Sequence, residues 1–71
     1  MNKINPKKLL NSKWTAVTPV DREKHFIVTE VEFDEDDEVI LCVLEAVFTK
    51  RANPIDWNDL KDDSRWAFGW K

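Results

Sequence analysis

The chain has 71 residues, and its 11 Lys and Arg against 14 Asp and Glu leave a formal net charge of −3. That length allows one domain, burying only about 60% of the surface its unfolded form exposes, and the charge supplies no global pull toward nucleic acid. No apolar stretch reaches the ~18 residues of a membrane span, the N-terminus lacks the apolar core of a signal peptide, and one cysteine, Cys42, cannot form an internal disulfide, so a soluble cytoplasmic protein with no membrane contact is expected.

Met1–Asn11 is polar and basic. Asn5 can cap a short turn over Pro6–Leu10, because its side chain accepts an N–H and Pro fits the first helical position. Lys3, Lys7, Lys8 and Lys13 all precede the first acid, Asp21, and read first as a solvated basic terminus. Lys13–Thr18 (KWTAVT) is a strand of β-formers, ended by Pro19, which has no N–H for a ladder. Val20–Lys24 is the connecting loop. His25–Phe33 is the second strand, with His25, Ile27, Thr29, Val31 and Phe33 toward the core and Glu30 and Glu32 toward water.

Asp34–Glu38 is all acid. With no glycine it does not suit a two-residue primed turn. A four-residue loop, Glu35–Glu38, closed by Asp34 opposite Val39, puts Phe33 against Ile40, Val31 against Cys42, Thr29 against Leu44 and Ile27 against Ala46, so paired residue numbers total 73. This register aligns the apolar sides of both strands; a one-residue slip would set Glu30 and Glu32 against the core. The run Val39–Phe48, broken only by Glu45, organises the fold. Its β-branched residues and length favour a central strand, here Val39–Lys50, with Ile40, Cys42, Leu44, Ala46 and Phe48 inward.

Asn53-Pro54 breaks the chain after the basic pair Lys50 and Arg51, leaving room for a short fourth strand. Asp56 is an N-cap, Asp59 stands at the capping-box position, and Ile55 and Leu60 are spaced as a hydrophobic staple, so a short helix starts at Trp57. Asp62 or Asp63 can cap a second turn through Ser64–Phe68, ended by Gly69. The expected fold is mainly β: an antiparallel three- to four-stranded meander, with a short C-terminal helical segment packed on it that brings Trp57 and Trp66 onto the sheet. An SH3-like small barrel is the alternative, and needs Arg65–Trp70 as a last strand.

Four tryptophans and no tyrosine accompany a distinctive wording: N-P-K-K-L-L-N-S-K-W-T-A-V from Asn5, T-K-R from Thr49, I-D-W-x-x-L-K-D from Ile55 and W-x-x-G-W from Trp66. In these motifs and their order the chain resembles a family of small tryptophan-rich bacterial proteins of unknown function, from Asn5 to Lys71. The resemblance implies no activity, cofactor or partner.

The residues themselves favour recognition over catalysis. No catalytic residue is assigned: His25 stands alone, Gly69 is the only glycine, and capping explains Asp56, Asp59, Asp62 and Asp63. No cofactor or metal set is present, and Cys42, on the inward side of its strand, reads as an inert apolar residue. Trp14 and Trp57 read as core. Trp66 and Trp70, with Lys50, Arg51 and Arg65, form the candidate binding set, because interface anchors are enriched in Trp and Arg. The expectation is a non-catalytic interaction module with a protein partner. The alternatives are a single-stranded nucleic-acid binder using the same rings plus the N-terminal lysines, and an accessory subunit or homodimer whose rings are only core.

Overall fold

The computed structural model describes residues 1–71. Its five strands are β1 (Lys13–Val20), β2 (Glu23–Phe33), β3 (Val39–Ala46), β4 (Ala52–Pro54) and β5 (Trp66–Phe68), with two 3-10 turns, Pro6–Lys8 and Trp57–Lys61. All pairings are antiparallel and build one sheet in the order β4-β3-β2-β1-β5. The mainly β expectation holds, with five strands rather than three or four. The last strand a small barrel requires is present, but β4 and β5 remain unpaired edges, so the sheet stays open.

β1 does not stop at Pro19. It continues to Val20, which pairs with Glu23 across Asp21 and Arg22. Both turn residues have positive φ, 55° and 66°, the conformation of a two-residue hairpin turn that usually calls on Asn or Gly. The β1–β2 ladder is interrupted between Thr15 and Val20, so the N–H that Pro19 lacks falls where no partner stands.

The expected β2–β3 register is found only at Glu30–Glu32, where Val31 does face Cys42. On either side the pairing is one residue lower: Val28 faces Leu44, Phe26 faces Ala46 and Phe33 faces Val39. Thr29 and Ile40 are the residues skipped. A bulge of this kind reverses the facing of everything beyond it. Val28 and Phe26 therefore point inward and His25 and Ile27 turn to the outer face, reversing the expected parity of that half of β2. Cys42, Leu44 and Ala46 are inward and buried as expected, but Ile40 and Phe48 are exposed. β3 ends at Ala46, and a turn with Lys50 at φ 63° replaces its expected continuation. The acidic connection is organised by Asp34, whose Oδ1 accepts from the N–H of Asp36 and of Glu38, with Asp37 at φ 61°.

Asn5 caps the first 3-10 turn as expected, its side chain accepting from the Lys7 N–H. Asp56 caps the second by accepting from Asn58. At five residues this second element is a tight 3-10 turn, too short to sustain an α-helix. The second helical turn expected over Ser64–Phe68 is instead strand β5. Asp62 Oδ1 takes both the N–H and the hydroxyl of Ser64. The chain then straightens, so that Trp66 faces Ala16 and Phe68 faces Trp14. The four-residue spacing of Trp66 and Trp70 is not helical: Gly69 at φ 84° sends Trp70 to the other side of the sheet.

The core lies on the inner face. Leu9, Trp14, Val28, Cys42, Leu44 and Leu60 form it, with Phe26, Ile55, Trp57 and Trp66 packed around. Only 9 of 71 residues are buried, so each large ring carries an unusual share of the stability. Trp14 is fully buried, and its indole N–H donates to Ser12 Oγ at 2.9 Å. Burial pushes the Cys42 thiol above its usual pKa, as expected for an inert cysteine. No helix is long and apolar enough to cross a membrane.

Candidate binding rim

The candidate surface is built where both termini meet the β1–β5 edge. The N-terminal segment is not a loose tail. The Asn2 amide donates to Leu60 O at 2.9 Å and to Trp66 O at 2.7 Å, and Leu9 inserts in the core. Lys3 and Lys8 thereby line, with Phe68, Ile4, Asn5, Ser12 and Trp14, a cleft of about 210 Å³. Phe68 stacks edge-on to Trp14, centroids 5.1 Å apart, yet remains 61% exposed.

The C-terminal tail is fastened through Thr15, a buried residue of β1. Its hydroxyl donates to Gly69 O at 2.7 Å and accepts from the Lys71 N–H at 2.9 Å. His25 Nε2 lies 3.0 Å from Lys71 O. Trp70 is then oriented by its own N–H, which donates to Phe26 O at 2.9 Å. The ring lies beside His25, with Lys13 Nζ 5.1 Å from its centroid, and is 46% exposed. An indole pinned along one edge, with ring surface left in water, is preorganised for stacking: little rotamer freedom remains to lose on binding.

The charged side chains around the two rings are lysines, while the main-chain carboxylate of Lys71 lies against His25. The two ion pairs of the chain are Met1–Asp63 and Arg51–Glu23, so Lys3, Lys8, Lys13 and Lys71 form no salt bridge with an acidic side chain. The acids collect elsewhere, seven of them between Glu30 and Glu38 with no basic residue among them.

The candidate binding set drawn from the sequence divides. Trp70 lies on the rim. Trp66 packs on the inner face, edge-on to Phe26 at 5.1 Å, and its buried indole N–H has no hydrogen-bond partner. Arg51 is committed to Glu23, its Nε 3.4 Å from the carboxylate. That carboxylate also accepts from the Thr49 hydroxyl. Lys50 is exposed in the turn after β3. Arg65 is exposed beside a cleft lined also by Glu23 and Trp66. The cations that sit over tryptophan rings are Lys13 and, over Trp57 at 4.3 Å, Lys61, not Lys50, Arg51 or Arg65. Phe68, His25 and Lys71 were absent from the set. Reading Trp66–Phe68 as strand would have found Phe68, and the tail's return to β1 brings in the other two.

Residues 12–71 match the family model described as Tryptophan-rich protein (DUF2389). The chain belongs to this tryptophan-rich family. The match spans all four tryptophans of the DUF2389 protein, together with Lys13, Phe68 and Lys71, while Lys3 and Lys8 lie before it. No curated protein and no solved structure matches the chain.

Proposed function

We propose that this DUF2389 protein is a small non-catalytic interaction module, working in the cytoplasm, where its lone buried thiol stays reduced. Its working surface is the rim of Phe68, Trp70, Lys13, Lys71, Lys3 and Lys8. One observation carries the reading: Trp70 is held by its N–H while ring surface stays in water, among lysines that form no salt bridge with an acidic side chain. Three of the four tryptophans pack in or around the core, which accounts for them without any partner. Trp70 is the ring that a purely structural role leaves unexplained. The partner surface this rim suits is anionic and offers flat or apolar groups to the rings.

The test is chemical-shift mapping of the ¹⁵N-labelled protein at low salt with two flexible anionic probes, decauridylate and a ten-residue polyglutamate peptide. The module reading expects at least one of them to move the signals of Lys13, Phe68 and Trp70 saturably. If neither does, it fails.

A further inference from the structure

We infer that the rim's partner is single-stranded nucleic acid, one base stacking on Trp70, another on Phe68, and lysines pairing with the phosphates between and beside them. The inference rests on the interaction-module reading and names its ligand.

Two features select this ligand over an acidic peptide. The rings stand singly. Phe68 lies on the inner side with Trp14, and Trp70 on the outer side with Lys13 and His25. The cleft beside Phe68, about 210 Å³, is smaller than the roughly 300 Å³ at which enclosing ligand pockets begin. Protein hot spots sit in packed, desolvated pockets, whereas a base needs only a ring face with positive charge near it.

The charged side chains are all lysine. The fork of Arg grips carboxylates and phosphates alike, so the absence of Arg does not separate the two ligands. Lys serves as a movable point charge, suited to a run of phosphates, and Lys13 can leave the Trp70 ring for a phosphate as a base takes its place.

The two rings also lie on opposite sides of a sheet edge, two residues apart. Whatever touches both must bend sharply around that edge and splay its planar groups. A duplex is too stiff and keeps its bases stacked inside; a single strand does this at low cost. The net charge of −3 opposes binding at the rim less than it would if evenly spread, because half of the 14 acids gather on the β2–β3 hairpin. Its tip, Asp34–Glu38, begins six residues beyond Val28, the β2 residue bonded to Asn11 and Ser12, which is roughly 20 Å of extended chain and two Debye lengths at 0.1 M salt.

The experiment is fluorescence anisotropy of labelled decauridylate with the full chain over a salt series, with the polyglutamate peptide and a ten-base-pair duplex as comparisons. Saturable binding is expected, with a log–log salt slope of about −2 to −3, three or four lysines each contributing roughly 0.7. Trp70→Ala and, separately, Phe68→Ala each weaken binding about 5-fold or more. Lys13→Gln flattens the slope by about 0.7, and Lys50→Gln changes nothing. Phe68→Ala guards against a folding artefact at Trp70. Loss of binding in both variants, with wild-type circular dichroism retained in either one, supports stacking. Equal affinity for the duplex, or unchanged affinity in both ring variants, overturns the inference. If polyglutamate moves the rim signals and decauridylate does not, the inference falls while the module reading stands. If neither probe binds, both fall.

Discussion

The inner face and the β1–β5 rim use the same residue type for opposite ends. On the inner face Trp14 is fully buried, its N–H is satisfied by Ser12, and Leu9, Val28, Cys42 and Leu60 complete the core. On the rim Trp70 is also anchored by its N–H, here on a backbone carbonyl, but nearly half of the residue stays in water, beside lysine. An indole's role is thus set by which side of the sheet the chain delivers it to. One local device decides that for Trp70, the positive φ of Gly69.

The sharpest way to break this comparison is to truncate each ring in turn. Trp14→Ala is expected to cost about 3–5 kcal/mol in denaturant unfolding, the range for large aromatic residues in cores, which a domain this small barely survives. Trp70→Ala is expected to cost less, about 2 kcal/mol, from its one hydrogen bond and the covered part of its ring. Equal losses would mean that the rim is core after all.

Next in size is Glu23, which holds the turn after β3 to the first hairpin through Thr49 and Arg51. Glu23→Ala is expected to cost about 1–2 kcal/mol, the two lost charge-assisted bonds being partly replaced by water on the exposed Thr49 and Arg51, and to raise hydrogen-exchange rates across 47–51 while the rim signals stay in place.

Trp66 sharpens the comparison from the other side. Its ring is packed but its buried N–H has no partner. Trp66→Phe deletes an unsatisfied donor along with some apolar area, so the two effects offset and stability changes by under about 1 kcal/mol. A loss as large as that of Trp14→Ala would mean that the N–H is satisfied in solution.

The smallest effect concerns the turn that feeds β5. Hydrogen bonds from Ser64, side chain first and then backbone, hold the Asp62 carboxyl below its usual 3.8. A depressed folded-state value means that the stabilisation is present above the unfolded value and is lost as pH falls through the lower, folded one. Ser64→Ala removes the larger cause, so the variant differs from wild type at neutral pH and converges with it as pH falls through the folded-state value. Acid titration of the Asp62 carboxyl carbon by NMR, in both proteins, reads this directly.

Much of this fold was legible in the sequence because local rules agreed there. Asn5, Asp56 and the Ile55–Leu60 spacing announce their turns, and Cys42, Leu44 and Ala46 line the core by simple alternation. The misreadings have non-local causes. Nothing near Thr29 announces a bulge, which is set by the need to bring Val28 opposite Leu44. The tail reads as helix by spacing, and is drawn into the sheet by the free edge of β1, some fifty residues earlier in the chain. The site was half legible for the same reason. Trp70 and the N-terminal lysines stood out by type, but their meeting depends on Thr15 and Asn2 holding two chain ends. Arg51 looked free only because Glu23 is distant in sequence.

The most direct measurement is the indole region of the ¹H–¹⁵N spectrum, where each tryptophan gives one Nε1–H signal. Titrated with decauridylate at low salt, the Trp70 indole is expected to shift progressively while those of Trp14 and Trp66 hold still. A Trp70 signal that stays fixed at saturating probe, or a shift confined to Trp57, would contradict the rim as the place where this protein meets its partner.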